Sequence, residues 1–188
     1  MMKGTYLGEL EELILLTVGI LYPQAYGVAV MDEIEEQASR SLNISAGSGL
    51  EHSEKNASAT ADVNFLQIWV FPKEKNITPR YDQKAFKPED RINKFETVVS
   101  PEKEGKALWI NQDAWFSLGN LQKGSNVEYI LKNPAHGVYV FVIEGDVNVN
   151  GQLLNKRDGF GVSNSDKLTI TGVSDAEVLL IEVPMTSR

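Results

Sequence analysis

After Asp62 the chain breaks into short apolar or alternating runs divided by turn residues. Phe65-Leu66-Gln67-Ile68-Trp69-Val70-Phe71 is the first, closed by Pro72. Similar runs recur at 95–99, 107–110, 114–118, 125–131, 137–143, 146–150, 159–162, 167–171 and 177–183. Glu144-Gly145-Asp146, Asn150-Gly151 and Arg157-Asp158-Gly159 punctuate them with residues suited to tight turns. Many short strands at regular spacing predict an antiparallel sandwich or barrel. The polar stretch 72–90 reads as a long loop across its surface.

The first 40 residues have a different texture. Leu10, Leu13, Ile14, Leu16 and Leu21 fall at helical spacing, and Pro23 stops the segment. From about Gly27, Val30, Met31, Ile34 and Ala38 mark one helix face, with Asp32, Glu33, Glu35 and Glu36 on the other. The pattern predicts a helical hairpin turning at Tyr22-Pro23-Gln24. Residues 44–56, rich in Ser, Gly and Asn, read as a loop or irregular strand.

Composition narrows the function. The 188 residues are 42% apolar and 23% charged, ordinary for one globular unit with a small appendage. A net charge of −8 opposes a surface built to neutralise phosphates. The chain has no cysteine, so thiolate sites and disulfides are excluded. Leu13 to Tyr22 is too short to span a bilayer and follows Glu9, Glu11 and Glu12 instead of basic residues, so neither a signal peptide nor a membrane helix is expected. The expected location is the cytoplasm.

Histidine is the scarce resource. Only His52 and His136 are present. His52-Ser53-Glu54 places an imidazole and a carboxylate at i and i+2, on one face if the segment is extended. A mononuclear metal site ordinarily takes three or more protein ligands, so this pair is incomplete alone. His136, in Asn133-Pro134-Ala135-His136-Gly137, reads as a turn histidine near solvent. Trp69, Trp109 and Trp115 could line a pocket for a small flat aromatic ligand, but the reading favoured is core anchors. Arg80-Tyr81 reads as packing. Gly47-Ser48-Gly49 lacks the helix and lysine of a phosphate loop.

Two resemblances follow from particular residues. Residues 7–16, then Ala25-Tyr26-Gly27-Val28 and Ile34-Glu35-Glu36, resemble the opening helices of PadR-family transcriptional regulators. From Ser45 onward, through His52-Ser53-Glu54, Phe65-Leu66-Gln67-Ile68-Trp69, Thr78-Pro79-Arg80-Tyr81 and Val178-Leu179-Leu180-Ile181, the chain resembles pirin-family proteins of the quercetinase-like branch. The join falls at Ile44-Ser45-Ala46-Gly47, as in a gene fusion.

The pirin resemblance implies a bicupin, two barrels in tandem, with a metal (usually iron) in the first barrel. It implies a site of three histidines and one glutamate: an early His-x-His pair, then the histidine and glutamate of His-Ser-Glu. His52 and Glu54 match the second pair, and the first has no counterpart in the chain. The expectation is a vestigial pair holding no ion firmly, with pooling of two such pairs between copies as the alternative. Aligned on Val142-Ile143-Glu144-Gly145, the cupin ligand positions of the second barrel fall on Lys132, Pro134 and Val138, so that barrel is expected to be structural.

The expected fold is mainly β: a jelly-roll cupin barrel with remnant strands of a first cupin and an N-terminal helical hairpin. The expected domains are a PadR-like two-helix segment over 1–44, remnant strands over 45–79 and a pirin-like C-terminal cupin over 80–188. The expected function is a chimeric, catalytically inactive binding or interaction protein. A metal-dependent quercetin 2,3-dioxygenase-like oxidoreductase and a PadR-like DNA-binding regulator are the alternatives. No cofactor is expected, and if one is held it is a divalent transition metal such as iron. A homodimer through residues 7–38 is expected, to bury the apolar helix faces. Binding to nucleic acid is not expected, because residues 1–44 carry net −5 and the recognition helix of the motif is replaced.

Overall fold

The structure, a computed structural model, describes residues 14–21, 39–45, 60, 63–70, 72–74 and 76–185. Four early strands are β1 (Ile14–Leu21), β2 (Ser39–Ser45), β3 (Val63–Val70) and β4 (Arg80–Phe86). After a 3-10 turn at Pro88–Arg91 come β5 (Phe95–Ser100), β6 (Leu108–Trp109), β7 (Trp115–Leu121), β8 (Asn126–Ile130) and β9 (His136–Glu144). The last five are β10 (Val147–Val149), β11 (Gln152–Leu154), β12 (Gly159–Val162), β13 (Lys167–Gly172) and β14 (Ala176–Pro184).

β5 to β14 form two facing sheets. One has the order β12-β9-β14-β7-β5-β6, and the other β11-β10-β13-β8. Between them lies an inner core in which Val138, Val140, Val142, Val178 and Leu180 meet Val147, Val149, Leu168, Ile170 and Tyr129. Alternation decides which residues enter it. On β14, Val178 and Leu180 point inward while Leu179, Ile181 and Val183 point to the opposite face, where an outer core gathers Phe116, Leu118, Phe141, Val98 and Val99. Leu66, Ile68 and Val70 of β3 pack half-buried on that outer core. β14 is apolar on both faces because it is the sheet's central strand, flanked by β9 and β7.

The turns follow the sequence. Asn150 and Gly151 both take positive φ, 49° and 91°, as a two-residue hairpin needs. Gly145 turns at φ 75°, and a Cβ there would stand 2.1 Å from the Asp175 carbonyl oxygen. Arg91, 1% exposed, pins the 3-10 turn to the barrel through Asn120 Oδ1 and Glu177 Oε1, each at 2.8 Å.

The mainly β, cupin-like architecture is as the sequence predicts. Two segments differ from expectation. The loop predicted over 72–90 contains β4, paired antiparallel with β2 from Ser39↔Phe86 to Ser45↔Arg80. Most of β4 is exposed or half-buried, so no apolar stripe announces it. Residues 14–21, inside the first predicted helix, are strand β1, paired with β3 from Ile14↔Val70 to Leu21↔Val63. A mostly apolar run with four β-branched residues, interrupted only by Thr17 and Gly19, fits a strand as readily as a helix, and periodicity cannot separate them. The rest of the predicted hairpin, residues 8–13 and 22–38, lies outside the described residues.

Candidate functional site

The barrel's polar chemistry collects at one end of its interior. Parity carries it there: Glu182 follows Val178 and Leu180 on the inward face of β14, and His136 precedes Val138 and Val140 on the inward face of β9. Trp115 pairs directly with Glu182 across β7–β14. Glu182 pairs with Val138, which sets His136 diagonally beside it, opposite Pro184.

Glu182 is fully buried and its carboxyl is surrounded by donors. Oε2 accepts from the Tyr129 hydroxyl at 2.8 Å. Oε1 accepts from the backbone N–H of Lys132 at 2.7 Å and of Asn133 at 3.2 Å. His136 Nδ1 lies 2.9 Å from the same oxygen. Four partners on one buried carboxyl offset the cost of taking it out of water, which an unpaired group would bear in full. The loop after β8 thus closes the barrel end by giving its amides to a glutamate some fifty positions later.

Burial pushes the Tyr129 hydroxyl well above the ordinary tyrosine range. The neighbouring Glu182 carboxyl and the hydrogen bond to it add to the shift, and Ser117 offsets part of it. Trp115 stacks against the His136 imidazole with centroids 5.5 Å apart and planes 34° apart. Its indole N–H donates to Glu102 Oε1 at 3.2 Å. The Glu102 carboxyl lies below its usual value: slight burial raises it, but hydrogen bonds from Ser100, its own backbone and Trp115, with the charge of Lys132, lower it further.

This cluster is a closed hydrogen-bonded network. The expectation of a solvent-facing turn histidine is wrong: His136 is 6% exposed and opens β9. The register that buries it comes from pairing with β14, which the local sequence Asn133-Pro134-Ala135 conceals. A signal was present at Glu182, the one charge in the apolar run Val178 to Val183, because a lone acid in a central strand needs a buried donor.

His52 and Glu54 lie outside the described residues. Lys132 and Pro134 are exposed, while Val138 is wholly buried in the inner core. Trp109 and Trp115 are half-buried, not deep core anchors. Trp109 carries Arg80 and Lys103 over its ring, each 5.3 Å from the centroid, and Arg80 also bonds Asp82 at 2.9 Å. The side chain of Trp69 lies outside the description. A shallow cleft of about 290 Å³ opens at the opposite barrel end, between Ile92, Leu121, Gln122 and Ala176, and no tryptophan lines it.

No helix among the described residues is long and apolar enough to cross a membrane. Among the same residues no three His, Asp or Glu side chains converge as metal ligands. Among the described residues this barrel offers one imidazole and no convergent set of further ligands, too few donors for a metal centre.

Comparison with known proteins places this architecture. Residues 97–183 match the family described as "Quercetinase C-terminal cupin domain". The quercetin 2,3-dioxygenase of Escherichia coli strain K12 is 34% identical over 142 residues, covering 75% of this chain and 59% of that protein. A pirin-like protein of Caulobacter vibrioides is 36% identical over 140 residues, with coverages of 74% and 60%. The chain therefore spans about three-fifths of the length of the curated relatives it matches. Among solved structures, Escherichia coli YhhW superposes with a TM-score of 0.74 at 29% identity, over 93% of this chain and 73% of that one. The nickel(II) complex of the same bacterial pirin superposes with a TM-score of 0.70 at 32% identity, over 77% and 61%.

Proposed function

The barrel part of this chain belongs to the pirin family, and from that premise we propose that it acts as a binding and interaction module without metal-dependent catalysis of its own. One observation carries the proposal. His136, the sole imidazole among the described residues, is held at Nδ1 by a carboxyl that also receives Tyr129 and two backbone amides. One imidazole makes no site alone: Lys132, Pro134 and Val138 stand at the positions where a cupin would carry ligands, and no three His, Asp or Glu side chains converge among the described residues.

Any metal in this chain then depends on His52 and Glu54, two donors where a stable site takes three or four. The alternative, a quercetin 2,3-dioxygenase-like activity, is favoured by the name of the Escherichia coli relative. Elemental analysis of the natively purified chain, with a flavonol turnover assay on the same sample, separates the two readings. Metal far below one equivalent and no turnover is the expected result. Near-stoichiometric metal that disappears in His52→Ala, together with flavonol consumption, would establish the dioxygenase reading.

The same reading includes a homodimer. Among the described residues β1–β3 and β2–β4 are two-stranded sheets, a size marginal on its own. A second copy would cover these small sheets. Light scattering coupled to size exclusion tests this: a mass of twice 20.9 kDa is expected, and 20.9 kDa at micromolar concentration overturns it.

A further inference from the structure

Asn150 and Gly151 form the two-residue turn between β10 and β11, the one Asn–Gly step in the chain. Asn–Gly is the dipeptide most prone to losing its side-chain amide. The Gly151 backbone nitrogen attacks Asn150 Cγ, the Cγ–Nδ2 bond breaks and ammonia leaves. Water then opens the resulting succinimide at either carbonyl, yielding aspartate or isoaspartate.

We infer that this turn is a latent deamidation site which the fold keeps closed, with Asn148 as its guard. The attacking nitrogen is occupied: Gly151 N–H donates to Asn148 Oδ1 at 2.7 Å, although residue 151 is exposed. In a hairpin turn the second central N–H has no ladder partner and would otherwise face water. The attacked group is also anchored. Asn150 Oδ1 accepts from Thr169 N–H at 2.8 Å, and Asn150 N–H donates to the Thr169 carbonyl at 3.0 Å. Closing the ring requires Gly151 N to give up its proton and Cγ to swing toward it. Both movements break bonds to two different strands.

The consequence of reaction sets why the guard matters. Isoaspartate adds a methylene to the backbone between Val149 and Gln152, which are paired neighbours across the hairpin. Val147 and Val149 lie wholly buried in the inner core, so the slipped register would disturb it. Deamidation at residue 150 therefore marks molecules whose β10–β11 hairpin has opened.

Peptide mapping by mass spectrometry of the whole chain, aged in mildly alkaline buffer, tests this. The native protein should keep Asn150 while the denatured chain converts it. Asn148→Ala should raise the native rate about tenfold, the equivalent of one net hydrogen bond. Asn148→Asp, which retains the acceptor oxygen, should stay near the native rate. A native rate equal to the denatured one, or an Asn148→Ala rate equal to wild type, overturns the inference. Should Asn148→Ala unfold the barrel, amide exchange at Gly151 in the wild type decides: protection is expected, and exchange at the rate of a free amide overturns the inference.

Discussion

His136 Nδ1 stands 2.9 Å from Glu182 Oε1, joining the first residue of β9 to the third-last residue of β14 at the closed end of the barrel. The two strands pair antiparallel, so residues 46 positions apart become diagonal neighbours on one face. That face is otherwise aliphatic, and a polar pair survives there only because Tyr129 and two loop amides complete it.

Glu182→Leu should cost about 3–5 kcal/mol, since it strands His136, Tyr129 and two amides without an acceptor. Glu182→Gln, which keeps one carbonyl oxygen, should cost about 1–3 kcal/mol. Denaturant titration with far-ultraviolet dichroism checks both. A Leu variant as stable as the wild type would mean that the network contributes no net stability.

Tyr129 makes folding sensitive to alkali. Its hydroxyl titrates higher in the folded protein than in the unfolded chain, so above about pH 10 the folded state holds a proton that the unfolded state has released. Stability contributed this way is complete below that range and falls as pH rises through it. Melting temperature followed from neutral to strongly alkaline pH should drop more steeply in wild type than in Tyr129→Phe. Parallel curves would contradict the assignment.

The inner core should dominate stability. Leu180, fully buried between the two sheets, should cost about 2–5 kcal/mol when cut to Ala. Ile130 is 69% exposed on β8, and its replacement by Ala should change stability by less than about 0.5 kcal/mol. Parallel unfolding curves of the two variants supply the contrast. Equal losses would mean that the inner core is not where the barrel's stability resides.

How far the sequence disclosed this arrangement depends on where each residue's information lies. The strands from Phe95 to Val183 are legible because apolar alternation and local turns such as Asn150-Gly151 are written within a few residues of one another. β4 is not, since Arg80 to Phe86 is mostly exposed or half-buried and owes its extended form to β2, some forty residues earlier. β1 fails for the opposite reason. Ile14 to Leu21 shows no apolar–polar alternation, and nothing local distinguishes strand from helix.

The site itself was half legible. Lys132, Pro134 and Val138 are non-ligand residue types that the sequence shows directly, but the environment of His136 was not readable from its neighbours. Its partner Glu182 is distant in sequence, and only strand register brings the two together. A charged residue inside Val178 to Val183 was the available clue. His52 and Glu54 lie outside the described residues, so the vestigial pair stands as a proposal.

Imidazole NMR of the whole chain during titration with Ni²⁺ tests the central claim most directly, because two histidines give two resolvable rings. With no further ligands converging on His136 among the described residues, its signals should keep their positions and widths as the ion is added, and the Nδ1 proton held by Glu182 should exchange slowly with water. Paramagnetic broadening of the His136 ring at stoichiometric nickel would contradict the account, because it would place a metal where the barrel is argued to hold only its own side chains.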